Sequence, residues 1–325
     1  MKKMLILSVA LLALIATDLC AQTLRIAHVA PPTSSFQAAA IRFEHHLAQL
    51  SNRTMNVEVY PAGQLGSIGE LWGQVRAGSV DIQLIDFSAV LFLKSAKDFS
   101  VLSIPYAIRD QAHWRSYLKS DLFREMAQVV ENAEGLVYLG YLGDRPPRAL
   151  TTRATPVRSV SDMRGLKIRV PETPAFIRAF EAFGASPTPV KAAELYNALQ
   201  TGLVDGQDNG IIDVVAAGYT EVQKYYMPID YMQSGIALWM NGKTFSKLSG
   251  NQQQWLREAC LRTEADQNAS LAREMTEAME KARSKGMEIV TVDLSGFRNA
   301  GERLLQEQDG KAFAAGLGQR IAKIK

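Results

Sequence analysis

An arginine stands at the end of a short alternating run, Gly165-Leu166-Lys167-Ile168-Arg169-Val170-Pro171. Further along, Asp205-Gly206-Gln207-Asp208-Asn209 carries an amide just beyond a turn signal. A guanidinium is a planar fork of donors that matches a carboxylate through two parallel hydrogen bonds. A guanidinium and an amide on separate loops can together grip that group. Leu166, Ile168 and Val170 share one strand face and Lys167 and Arg169 the other, while Pro171 ends the strand at once. Arg169 therefore falls at the carboxyl end of a strand, where α/β sheets place their ligands. Arg148 follows a Gly143-Asp144-Arg145-Pro146-Pro147 break, and Arg145 competes with it as a second cation.

Three further side chains, Asp86, Thr188 and Trp239, are candidates, each with a structural alternative. Asp86 ends a strand and either accepts hydroxyl protons from a ligand or caps the next helix. Thr188, in Gly184-Ala185-Ser186-Pro187-Thr188-Pro189, either bonds a ligand or sits in a rigid turn between helix and strand. Trp239 either stacks on a ligand or packs in the core. His28 closes the first strand.

Catalytic and cofactor signatures are missing. His45 and His46 are adjacent, so they lack the helical spacing of a metal pair, and no cysteine or carboxylate completes a site. Gly242-Lys243-Thr244 has Ala237 where a phosphate loop needs its first glycine. No Gly-x-Ser-x-Gly elbow or His-Glu-x-x-His helix occurs. No cofactor and no metal are expected.

The elements that must hold these residues alternate between strand and helix. Strands are expected at Leu24 to Val29, Met55 to Tyr60, Val80 to Ile85, Gly135 to Leu142, Leu166 to Val170, and Glu288 to Val292, with another entered from Leu203 to Gln207. Helices are expected after a Ser34 or Ser35 cap, over Glu70 to Arg76 closed by Gly78, from an Asp121 cap towards Ala133, over Thr173 to Phe183, and over Ala192 to Thr201. Met227 to Trp239 reads as an extended return crossing. Ser249 to about Lys285 reads as one proline-free helix long enough to lean across two lobes. The pattern argues for a parallel-rich α/β protein whose chain crosses repeatedly between two lobes, with the ligand in the cleft.

The whole chain fits that plan. Its 325 residues suit two lobes rather than one small core, and 47% hydrophobic with 21% charged residues is a globular balance. A net charge of +3 without a basic run gives no footing for nucleic acid. Lys2 and Lys3 precede an apolar run from Leu5 to Ala16, too short to span a bilayer and right for an export signal over residues 1–21. Cys20 raises lipidation, against which the bulky Leu19 stands. If Cys20 leaves with the signal, Cys260 is alone and reads as a small core residue.

An ordered set of short motifs then resembles one family. Tyr60-Pro61-Ala62-Gly63-Gln64-Leu65-Gly66, Ala77-Gly78-Ser79-Val80-Asp81, Pro105-Tyr106, Gly165 to Pro171, Gly184 to Pro189, Glu194-Leu195-Tyr196, Ala198-Leu199-Gln200, Val204 to Asn209 and Glu221-Val222-Gln223-Lys224-Tyr225 occur in its order. The chain is similar, over nearly all of its mature length, to the extracytoplasmic solute-binding proteins of TRAP transporters, often called C4-dicarboxylate-binding. The resemblance implies a two-lobed periplasmic-binding-protein fold with an interlobe cleft, hinge crossings and a long helix spanning both lobes. The expected division is 22–145 with about 236–275 in lobe I, and 146–235 with about 276–325 in lobe II. It implies that Arg169 pairs with a ligand carboxylate while Arg148 and Asn209 assist, that Asp86 faces the ligand, and that the loop around His28 lines the other wall. It also implies a soluble periplasmic receptor that hands an organic acid to membrane permease subunits. Gly210 stands where proline is usual, and Arg145-Pro146-Pro147 is atypical. Ala192 is small where sialic-acid binders place a phenylalanine, and Ser67-Ile68 lacks an acid they use. Asp86 in the cleft would favour hydroxyls over a second carboxylate, which tilts the expectation towards a sugar acid. The rival readings are a secreted lyase or hydrolase of acidic sugars, for which no acid, base and nucleophile assemble, and a binding protein that feeds a sensor kinase.

Overall fold

The computed structural model describes residues 22–325; the export-signal region and Cys20 lie outside them. Among the described residues, eleven strands form two sheets: β1 (Gln22–Ala27), β2 (Met55–Tyr60), β3 (Ile82–Asp86), β4 (Leu136–Asp144), β5 (Ala149–Thr152), β6 (Lys167–Val170), β7 (Ser186–Pro189), β8 (Gly206–Asn209), β9 (Tyr225–Met227), β10 (Gly235–Asn241) and β11 (Glu288–Ile289). The first sheet has the order β2-β1-β3-β10-β4 and the second β11-β9-β5-β8-β6-β7. Each sheet, with the helices on its faces, builds one lobe.

The chain leaves the first sheet at β4, builds the second, and returns in β10. Because β10 enters from the other lobe, it runs antiparallel to both β3 and β4. The sheets are therefore more mixed than the strand–helix alternation suggested. Glu70 to Arg76 lies in a helix over Ile68–Ala77 that ends on Gly78 in the left-handed region, as its position predicts. The expected Asp121 cap belongs one residue earlier: the Ser120 hydroxyl accepts from the Phe123 N–H, and Asp121 opens the first turn.

The segment expected as a rigid turn, Gly184 to Pro189, is largely an edge strand. Ser186 and Val190 donate to the carbonyls of Leu166 and Val170. The even positions thus face β6, and Pro187 and Pro189 fall where no donor is needed. An edge strand tolerates proline for this reason.

The Gly250–Ser284 helix is capped by Ser249 and Gln252 in a reciprocal box. Its first half buries Leu256, Ala259 and Cys260 in the core of the first lobe, and its second half buries Ala278 and Ala282 in that of the second. It is a single rod across both lobes. Cys260 sits 1% exposed, as a small core residue should, and burial pushes its thiol pKa up. Ser295–Gln308 packs on the Pro174–Ala182 helix, but the chain then returns to the first lobe. There Arg109 donates to the carbonyls of Ala322 and Ile324, and His113 bonds that of Ile321.

Candidate functional site

A cavity of about 370 Å³ opens between the lobes. Arg145, Arg148, Arg169, Asp86 and Asn209 all line it; His28, Thr188 and Trp239 do not.

Arg169 is delivered by β6. Its neighbours Ile168 and Val170 are fully buried, and the arginine itself is only 6% exposed. Its Nε donates to the Val190 carbonyl at 2.8 Å, which fixes the plane of the fork. Neither terminal nitrogen bonds a described residue. Burial lowers its pKa below the usual arginine value, with the charge of Asp208 opposing. A buried cation with two unbonded terminal nitrogens in a cavity is expensive unless an anion meets it.

Arg148 is buried but partnered. Its Nε meets Asp208 at 2.6 Å, Nη2 donates to the Asp208 carbonyl at 2.8 Å, and the Tyr231 hydroxyl donates to the same carboxylate at 2.5 Å. Its guanidinium lies 5.1 Å from the centre of the Phe176 ring. Burial alone would favour losing its proton, but Asp208 holds that proton more tightly than in a free arginine. Nη1 remains without a hydrogen bond, 3.9 Å from Asp86.

Arg145 does not compete as a free cation. Nη1 meets Asp86, Nη2 meets Asp213 at 2.6 Å, and the guanidinium covers the Phe36 ring at 4.7 Å. Asp86 is likewise not a free acceptor for ligand hydroxyls. It takes Arg145 and the Ser234 hydroxyl on one oxygen, and the N–H and hydroxyl of Ser88 on the other. Its capping role prevails because the crossing segment brings a cation and a serine to it.

Asn209 ends β8. Its Nδ2 donates to Gln207 Oε1 at 2.7 Å, and Gln207 Nε2 donates to Thr151 Oγ1 at 2.9 Å. This chain orients the asparagine amide and leaves one N–H and its carbonyl oxygen unspent.

The three outliers have clear reasons. Trp239 is fully buried in the first lobe, edge-on to Tyr138 at 5.3 Å and to Trp72 at 6.3 Å. Thr188 pairs with Arg169 in the ladder, on the edge strand outside the cavity. His28 is 1% exposed and bonds Gln37 Oε1 at 2.9 Å, and burial lowers its pKa. The residues after it, Val29 to Pro32, form the wall instead.

Two lining residues escaped the sequence. Thr173 precedes the Pro174–Ala182 helix but makes no side-chain cap, and its hydroxyl is buried without a partner. Thr-Pro reads as a helix start, which hides such a hydroxyl. Tyr219 also lines the cavity; burial pushes its phenol up to about 12, so it is neutral. Among the described residues, no histidine or cysteine lines the cavity, and its two carboxylates, Asp86 and Asp213, are engaged by Arg145. The arrangement can hold an anion; it offers no nucleophile with a base.

The model of the bacterial extracellular solute-binding proteins, family 7, matches residues 26–311. The chain belongs to this family. It is a TRAP-type solute-binding receptor with a two-lobed fold, not an enzyme. A solute-binding protein of Roseobacter denitrificans is 30% identical over 278 residues, 86% of this chain and 84% of its own. A crystal structure of a TRAP solute-binding protein from that organism, with bound L-galactonate, matches with a TM-score of 0.82 at 26% identity over 94% of this chain and 98% of that one. A Bordetella TRAP periplasmic protein, with density assigned as pantoate, has a TM-score of 0.87 at 27% identity over 94% and 99%. The 2,3-diketo-L-gulonate-binding periplasmic protein of Escherichia coli is 28% identical over 311 residues, 96% of this chain and 89% of its own. Family 7 receptors are extracytoplasmic, and no helix among the described residues is long and apolar enough to cross a membrane.

Proposed function

We propose that this receptor works in the periplasm, released there from its export signal, and captures a hydroxylated organic acid of the sugar-acid kind for TRAP permease subunits. The observation that carries the reading is Arg169, a buried guanidinium whose terminal donors are unspent and line the cavity. Its fork takes the carboxylate, while Arg148 Nη1, Asn209 and Thr173 supply further polar contacts. The L-galactonate and 2,3-diketo-L-gulonate of the relatives are carboxylates on hydroxylated chains and support the class.

The physics of capture follows from desolvation. With the cleft open, water solvates Arg169. Shutting it empty strips that water and leaves an unpaired buried charge, at a cost of several kcal/mol. A carboxylate removes this penalty and adds charge-assisted bonds, so it prefers the closed form. Moving a population from mostly open to mostly closed takes about 5.5 kcal/mol of preference.

Titration calorimetry with a panel of sugar acids tests the assignment. Arg169→Ala should lower affinity by about a hundredfold or more, the scale of a lost buried ionic bond. Its thermal midpoint should not fall, because the removed cation was uncompensated. Arg169→Lys should also bind weakly, since an ammonium lacks the paired geometry. Retained affinity in the alanine variant would refute the role.

A further inference from the structure

We infer that the site prefers a hydroxy monoacid whose end far from the carboxylate is apolar, a deoxy or methyl-branched sugar acid, over one hydroxylated to its tip. This inference rests on the reading that Arg169 takes the carboxylate.

The two lobes contribute unlike walls. From the second lobe come the unspent polar groups, the Arg169 fork, Arg148 Nη1, the Thr173 hydroxyl and the Asn209 amide, set among apolar side chains such as Phe176 and Leu195. The first lobe contributes Val29, Ala30, Ile68, Ala89 and Phe92, which carry no polar side-chain atom. Its few polar side chains are largely used, with Arg145 Nε alone lacking a partner. Ser34 donates to the Pro31 carbonyl at 2.6 Å and caps its helix. Ser88 is bound to Asp86, and both oxygens of Asp86 are taken. Even the carbonyls of Ile68 and Ala89 accept bonds, from Gln83 and Trp72.

A ligand held by its carboxylate on the second lobe therefore turns its other end towards side chains that cannot bond a hydroxyl. Burying a hydroxyl there without a partner is unfavourable, whereas a methyl group gains from the same contact. A second carboxylate fares worse. Arg145 carries two aspartates and Arg148 carries one, so neither is a free cation for it.

Matched pairs test this by calorimetry on the purified protein: L-fuconate against L-galactonate, L-rhamnonate against L-mannonate, and 4-deoxyerythronate (2,3-dihydroxybutanoate) against erythronate. Galactarate serves as the diacid. In each pair that binds, the methyl-ended member should bind tighter by about tenfold or more, the discrimination such a wall supports, and galactarate should be weakest. Ile68→Thr, which adds a hydroxyl to the wall, should narrow the preference while binding still requires Arg169. Equal or tighter binding of the fully hydroxylated members would overturn the inference and leave the carboxylate receptor standing. Failure of every acid to bind a natively folded protein would overturn the sugar-acid reading, and this inference with it.

Discussion

Thr173 shows how a hydroxyl beside the cavity can go unnoticed in a sequence. A threonine before a proline at a helix start is ordinarily a cap, with its oxygen facing the first-turn N–H groups. Here the cap bond is not made, and the hydroxyl stays buried against the cavity. An unsatisfied buried hydroxyl weakens the fold by about 1–3 kcal/mol. Thr173→Val keeps the shape and removes the hydroxyl. Its thermal midpoint without ligand should rise, by the equivalent of about 1 kcal/mol, while affinity for the bound acid falls about fivefold to tenfold. A purely structural threonine would not move the two readouts in opposite directions. Arg169, by contrast, was legible because strand end, proline stop and charge coincide in sequence. Trp239 was not, because a tryptophan in a strand reads alike whether it faces a ligand or a core.

At the scale of elements, the two departures from the family pattern compensate one another. Gly210 caps the Ile211–Ala216 helix with φ −70°, a value proline could adopt. Proline is nevertheless barred. A Cβ at Gly210 would lie 2.6 Å from the Cβ of Pro146 and 2.8 Å from its carbonyl oxygen. The crossing segment thus leans on the start of that helix, and only glycine leaves the room. The sequence displayed both anomalies, but nothing in it tied them together, since 3.80 Å steps along the chain say nothing of this close approach. The two prolines in β7 misled for a related reason: pairing side, invisible in sequence, decides whether a missing donor matters. Gly210→Ala should destabilise the protein by about 1–3 kcal/mol, the usual scale of overpacking, in a urea titration. Adding Pro146→Gly should recover part of that loss, because it removes the ring while the carbonyl contact remains. A fully additive pair would show that the two sites are independent.

For the whole molecule, one cation joins the two lobes beside the cavity. Arg145 leaves the crossing after β4 and joins Asp86, at the end of a first-lobe strand, to Asp213, on a second-lobe helix. Beside it, the Ser35 hydroxyl donates to Asp213 at 3.1 Å and the Thr33 hydroxyl to the Ala216 carbonyl at 2.9 Å. The long helix was readable from periodicity, but this bridge was not, since its three members lie in separate segments. Removing the cation leaves two largely buried carboxylates without their shared partner, and their repulsion opposes closure. Arg145→Met keeps the length over Phe36 and deletes the charge. At a fixed, subsaturating concentration of a bound acid, the variant should scatter X-rays as a more expanded particle than the parent. Apparent affinity is the intrinsic affinity scaled by the competent fraction. If ligand-free closure falls from about one molecule in a hundred to about one in a thousand, affinity drops about tenfold although Arg145 offers the ligand no free donor pair. Unchanged scattering together with unchanged affinity would mean that the bridge merely accompanies closure, and that the helix rod alone sets the angle between the lobes.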